Sequence, residues 1–282
     1  MAQVFNHAIS GFMDAYVNDE NIWFVDSSSG AVYKYSINSR KLTLNTLLYK
    51  NSKCLRMLPR RIINYEEYLY FISNFGYIIY RGSLIGDSIV IDLVCEHETT
   101  SAIRIMDAFL INDKIWYIPA SLSQKIMIYD IKNKNFIQYN SLYSELARCN
   151  IVVEDAEIIT IKYVEKSFFF TLETGTEIIQ YDIFNRTAGR HQIPNKIKIG
   201  GFEFDGEYFY IRDKYGISIH KWIFNSEIIE SYFLENMNEL EKSEIDAKAM
   251  ILSNGQVILL PWRCNSVVYL AENEKCLKRV KG

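Results

Sequence analysis

The chain has 282 residues, 49% of them hydrophobic, with a formal net charge of −3 from 31 basic and 34 acidic side chains. That is enough apolar material for a large core, which excludes a disordered chain, and the near-balanced charge carries no footprint for nucleic acid. No apolar run reaches the roughly 18–20 residues that cross a bilayer as a helix, so neither nucleic acid nor membrane is expected as a partner.

Met1 to His7 shows neither a basic nor an apolar leader segment, so no secretory signal is expected. Cys54, Cys95, Cys149, Cys264 and Cys276 are odd in number, scattered and never spaced C-x-x-C. That pattern predicts free thiols in a reducing, cytoplasmic compartment and no structural zinc.

Abundant aromatics, 20 Tyr and 16 Phe, beside only 4 Pro, favour pleated half-buried surfaces. In chain order, six apolar strands are expected at Ile22–Val25, Leu69–Ile72, Ile115–Ile118, Phe168–Phe170, Tyr208–Ile211 and Val257–Leu260. Each follows a polar hairpin signal: Asn18-Asp19-Glu20, Glu66-Glu67, Asn112-Asp113, Glu165-Lys166, Asp205-Gly206 and Asn254-Gly255. Each precedes an alternating strand marked by Tyr35, Tyr80, Tyr129, Tyr181, His220 or Tyr269, at steps of 45, 49, 52, 39 and 49 residues. Second turns follow at Asn38-Ser39, Gly82-Ser83, Asn133-Lys134, Asn185-Arg186, Asn225-Ser226 and Asn273-Glu274.

A period of roughly 40–50 residues with four strands per unit is that of a propeller blade. The expected fold is all-β, a six-bladed β-propeller of four-stranded antiparallel blades. It forms one domain over residues 1–282, with repeats at about 11–50, 56–95, 101–142, 151–195, 199–235 and 246–282. A two-sheet sandwich would have to hold too many strands, and no seventh copy supports a seven-bladed ring. Either Val4–Ile9 or Cys276–Val280 could supply the closing outer strand.

The segments Ile126-Met127-Ile128-Tyr129-Asp130-Ile131 and Ile178-Ile179-Gln180-Tyr181-Asp182-Ile183, each followed by an Asn turn, resemble the third strand of kelch-type repeats. The resemblance implies a propeller and a binding role, and assigns no functional residue. The glycine pair usual in kelch second strands is absent, since Gly200-Gly201 precedes a first strand.

Motif chemistry is sparse. There is no G-x-S-x-G, H-E-x-x-H, P-loop or dinucleotide glycine pattern, so no cofactor is expected. His220 reads as a packed strand residue, and His97 and His191 as solvated residues between blades. Asp14 and Asp107 recur at one register, in Phe12-Met13-Asp14-Ala15-Tyr16 and Ile105-Met106-Asp107-Ala108-Phe109, on expected innermost strands. A carboxylate there serves either neighbouring backbone or a ligand, with the backbone role favoured for a buried polar group.

The longest connections, Ser141–Asn150 and Leu234–Glu244, fall on the face that carries the blade-to-blade links, and long loops on a rigid scaffold are where function sits. Basic residues gather there by strand assignment. Arg56, Arg60, Arg104, Arg148, Lys198 and Arg263, with Trp262 as an apolar wall, are the candidate ligand-binding residues for an anion. The alternative is a set of separate local pairs with Glu. The leading expectation for function is a non-catalytic binding or scaffolding propeller engaging a protein or an anionic small ligand. The rival is a propeller lyase or hydrolase acting on a carbohydrate or peptide at the channel mouth. A shared fold hosts either.

Overall fold

Short runs of alternating Ile, Tyr and Phe, punctuated every few residues by polar turns, leave the backbone one economical solution: antiparallel strands joined by hairpins. The structure, a computed structural model, describes residues 12–17, 21–26, 30–36, 38–39, 41–48, 59–85, 88–97, 103–173, 175–214, 218–233, 247–253, 256–261, 266–271 and 276–281. Its contacts divide the chain into two units, Ile9–Leu142 and Met1–Ala8 with Tyr143–Gly282.

In the first unit, β1 (Phe12–Val17), β2 (Asn21–Asp26), β3 (Ala31–Ser36) and β4 (Lys41–Leu47) pair in that order as one antiparallel sheet. The next sheet is β5 (Pro59–Tyr65), β6 (Tyr68–Ser73), β7 (Tyr77–Ile85) and β8 (Ser88–His97). The third is β9 (Ile105–Ile111), β10 (Lys114–Pro119), β11 (Lys125–Asp130) and β12 (Asn135–Ser141). The second unit opens on α1 (Leu142–Arg148), whose first residue closes the first unit, and repeats the pattern. Its sheets are β13 (Ile158–Val164), β14 (Ser167–Leu172), β15 (Glu177–Asp182) and β16 (Thr187–Gln192); then β17 (Ile199–Phe204), β18 (Tyr208–Asp213), β19 (Ser218–Ile223) and β20 (Ile229–Phe233). The last sheet is β21 (Ala247–Ser253), β22 (Gln256–Pro261), β23 (Ser266–Ala271) and β24 (Cys276–Lys281). These are the four-stranded antiparallel blades of a β-propeller. Cys276–Lys281 is the outer strand of the last sheet, while Val4–Ile9 lies outside the described residues.

The turns explain why the hairpins close where they do. Glu66 and Glu165 take positive φ (53° and 55°), and Asn112 and Asp113 both do so (50° and 60°), as a two-residue turn of the primed type requires. The Tyr-Asp-Ile strand ends are anchors. Asp130 Oδ1 accepts from the Asn133 N–H at 2.9 Å and Oδ2 from Asn133 Nδ2 at 3.1 Å. Asp182 accepts in the same way from Phe184 N, Asn185 N and Asn185 Nδ2. A carboxylate bonded to the turn's own N–H groups fixes the hairpin without help from the core.

Three registers differ from those expected. Tyr35, Tyr129 and Tyr181 face Ile22, Ile115 and Phe168, the equivalent partners of Leu69 and Phe209 are Gly82 and Trp222, and Tyr269 pairs with Ile258 instead of Val257, the equivalent of Ile22. Trp222, not His220, therefore fills the repeated aromatic site, and its buried indole donates Nε1–H to Ser226 O at 2.8 Å. Gly82 is no turn residue. β7 runs on through it because Ile89 fills the space above, and a Cβ there would sit 2.3 Å from Ile89 Cδ1.

Neighbouring sheets pack face to face. Val25, Val32, Phe71, Ile78 and Ile89 interlock between the first two, and Ile72, Ile79, Ile105, Tyr117 and Met127 between the second and third. In the second unit Phe169, Ile178, Phe202, Phe209 and Trp222 form the corresponding core. Burial of such side chains at about 1.5–3 kcal/mol each is the main force holding blade to blade.

Candidate functional site at the connection edge

In an antiparallel meander, first strands start at the same edge where second strands end. The blade-to-blade connections and the second-to-third-strand loops therefore share one edge of each sheet, and hairpin turns the other. Each first strand carries a register shift close to this edge. A bulge there adds a residue and re-aims its side chain. The residue after the bulge is Asp14 in β1, Arg61 in β5 and Asp107 in β9. In the second unit the same place holds Thr160, Gly201 and Ala249.

In the first unit β5 lies between β1 and β9, so acid, base and acid stand side by side. Arg61 Nε lies 3.5 Å from Asp14 Oδ2 and 3.7 Å from Asp107 Oδ1, and its guanidinium covers the Phe109 ring at 5.8 Å. Asp14 Oδ2 also accepts the Ile62 N–H at 2.8 Å, and Asp107 Oδ1 accepts the Ala108 N–H at 2.8 Å. Burial pushes the Asp14 carboxyl above its ordinary value, with Asp107 adding to the rise. Arg61 and the Ile62 N–H oppose it.

Arg60, the bulge residue of β5, reaches across to β9, where its Nε donates to Met106 O at 2.5 Å and Nη2 meets Met106 Sδ at 4.0 Å. Burial pulls its proton affinity down, as do the charges of Arg61 and Arg104, while Asp107 and Asp14 counter. Arg104 is exposed, but its backbone is fixed. The 74–76 loop pairs with the entry to β9 through Phe75↔Arg104, Gly76 N to Ile103 O at 2.9 Å and Ile105 N to Asn74 O at 2.7 Å. Ala120 N donates to Arg104 O at 2.9 Å from the third sheet.

Of the candidate binding residues, Arg60 and Arg104 thus fall in one charged cluster. Lys198 stands just before β17 as Arg104 stands just before β9, since Lys214 N donates to Lys198 O at 2.8 Å. The equivalent residue before β13 is Glu157, so the equivalent positions are not uniformly basic. Arg148 is held by Glu145 at 2.8 Å within α1, and the buried Glu145 also accepts the Tyr181 O–H at 2.6 Å. Arg56, Trp262 and Arg263 lie outside the described residues. Arg61, the residue that joins the two aspartates, was not among the candidates. The signal for it was a basic residue at the register of Asp14 and Asp107 one blade between them.

Elsewhere, His220 is buried between Ser218 Oγ (3.1 Å) and Ser231 Oγ (2.8 Å), a packed strand residue as expected. His191 is not a solvated connector. It sits in β16, half-buried, 3.9 Å from the Phe224 ring and 3.1 Å from Asn225 Oδ1, and burial lowers its proton affinity. In the second unit Lys162 and Glu203 join β13 to β17 at 2.5 Å. Among the described residues no cluster of three or more His, Cys, Asp or Glu forms a ligand set for a metal, and no helix is long and apolar enough to cross a membrane. Cys149 and Cys276 are free thiols.

No protein-family model matches the chain, and no curated protein matches it by sequence. Solved structures match it by fold. Virginiamycin B lyase from Staphylococcus aureus aligns with a TM-score of 0.63 at 13% identity, covering 99% of this chain and 86% of the other. YCF48 from Cyanidioschyzon merolae aligns with a TM-score of 0.66 at 10% identity over 98% and 87%. YCF48 bound to D1 peptide aligns at 0.60 and 11% over 96% and 81%. The chain is a β-propeller. At these identities the likeness is one of fold. The kelch resemblance has no matching family model behind it.

Proposed function

We propose that this propeller is a non-catalytic binding module that engages a partner protein on the connection edge of its blades. One observation carries the reading. The groups at that edge best suited to acid–base chemistry, Asp14 and Asp107, are spent on backbone N–H groups and on a shared Arg61, while Arg60 and Arg104 add positive charge beside them. Carboxylates tied in this way are structural fixtures, and fixed cations at a loop-rich edge suit recognition. The fold likeness to a propeller solved with a bound peptide supports the same choice.

The second reading, a lyase or hydrolase, is favoured by Asp14 alone, whose proton affinity burial raises, as in general acids. We further propose one domain over residues 1–282 with six kelch-like blades, which the repeat period and the six four-stranded sheets support. A cytoplasmic setting is supported by the free Cys149 and Cys276.

The test is a photo-crosslinking side chain placed at Arg104 or Lys198 on the connection edge, and at Asn133 or Asn185 on the turn edge, followed by exposure to a lysate of the source organism. A discrete protein adduct from the connection edge only is the expected result. Adducts from the turn edge only, or none while the purified chain turns over a carbohydrate or peptide substrate, would refute the binding reading.

A further inference from the structure

The chemistry recognised at the connection edge can be read from Arg60, and this inference rests on the binding function just proposed. A guanidinium has five N–H donors in a rigid fork and no way to shed its charge. Among the described residues Arg60 uses Nε on Met106 O and offers Nη2 only a thioether at 4.0 Å. No carboxylate among them lies within ion-pair distance of it, because Asp14 and Asp107 are turned to Arg61 and to backbone N–H groups. The side chain is half-buried, so its remaining N–H groups are open to an acceptor that arrives at this edge.

Charge and placement agree on what that acceptor is. Arg61 and Arg104 stand near Arg60 as well as Asp14 and Asp107, so a negatively charged acceptor suits the place. The bulge in β5 aims Arg60 toward β9, and Arg104 stands at the entry to β9 on a backbone locked by Phe75, Gly76 and Ala120. We propose that Arg60, assisted by Arg104, holds a carboxylate presented at this edge. A planar carboxylate matches the two Nη groups of one guanidinium in parallel bonds, which a point charge does not. That carboxylate belongs either to an acidic segment of a protein partner or to a free small acid.

Equilibrium titration of the full chain separates the two. The probes are a blocked peptide rich in Glu and Asp, the same peptide with Gln and Asn, and free citrate. The acidic peptide is expected to bind and the neutral one not. Arg60→Lys keeps the charge but loses the fork, and should weaken binding about tenfold. Arg104→Gln, at an exposed position, should weaken it about threefold, and serves if the Arg60 variant does not fold. Lys132→Gln, on the turn edge, should change nothing. Binding of citrate alone, with the same response to both variants, supports the carboxylate site and removes the protein partner from the proposed function. Failure of both acidic probes to bind, or binding indifferent to Arg60→Lys and Arg104→Gln, overturns the site. In that case connection-edge crosslinks that persist in Arg60→Lys leave the binding function standing, and their absence removes both.

Discussion

At the residue scale, Asp14 shows how one carboxylate can be structural and strained at once. It accepts the Ile62 N–H and faces Arg61, yet burial still raises its proton affinity above the ordinary carboxyl value of 3.8. A carboxyl that holds its proton more tightly folded than unfolded favours folding below 3.8, and that contribution is lost as pH rises through the raised folded value. At neutral pH its ionised form is therefore a cost. Asp14→Asn keeps an acceptor for Ile62 and removes the charge. It should be at least as stable as the parent at pH 7, with the difference shrinking as pH falls toward 4. Asp14→Ala should lose about 1–3 kcal/mol at either pH, because the Ile62 N–H is left without its acceptor. Urea unfolding of the three proteins at both pH values checks this. An Asn variant weakened more at pH 7 than at pH 4 would mean that the Arg61 attraction outweighs burial.

At the element scale, the recurring unit is a first strand with a bulge at its connection end. In β17 the bulge residue is Gly200, where a Cβ would lie 2.8 Å from Lys214 Cα and 2.9 Å from Asp213 O, both backbone atoms. Arg212 closes over the same spot, donating Nη2–H to Gly200 O at 2.6 Å. Gly200→Ala is expected to cost about 1–3 kcal/mol, since backbone cannot step aside as a side chain can. Gly201→Ala, whose nearest neighbour is Arg212 at 3.9 Å, should change stability by less than about 0.5 kcal/mol. Equal effects on the denaturation midpoint would contradict the close approach. The hairpins were legible in the sequence because their signals are local. Glu66-Glu67, Asn112-Asp113 and the Asp130–Asn133 pair act within a few residues of themselves. Register was less legible. Tyr80 and His220 looked like the repeat's aromatic, but pairing across strands puts Gly82 and Trp222 there. Bulges leave no mark in composition, so nothing local announces that Arg60 is the extra residue of β5. The same limit applied to the candidate site. Asp14 and Asp107 could be matched by their flanking residues, whereas the Arg61 bridge depends on three strands from three sheets standing in order. Arg148 falls under the alternative of a local pair with Glu. Its partner Glu145 is three residues away on one helix face, a spacing that marks a local pair.

At the scale of the whole molecule, a chain of net charge −3 presents its basic cluster at one edge of one unit, which no bulk property reveals. Function in such a fold depends on which edge of the blades is used. The connection edge carries Arg60, Arg104 and the 74–76 loop bonded to the entry of β9, and the turn edge carries short, self-anchored hairpins. Hydrogen–deuterium exchange of the full chain, with and without the acidic peptide, reads the choice directly. Slowed exchange is expected in segments 59–62 and 103–107, with the turns at 65–68 and 111–114 unchanged. Protection centred on those turns, or a peptide that binds without protecting either edge, would contradict binding at the connection edge.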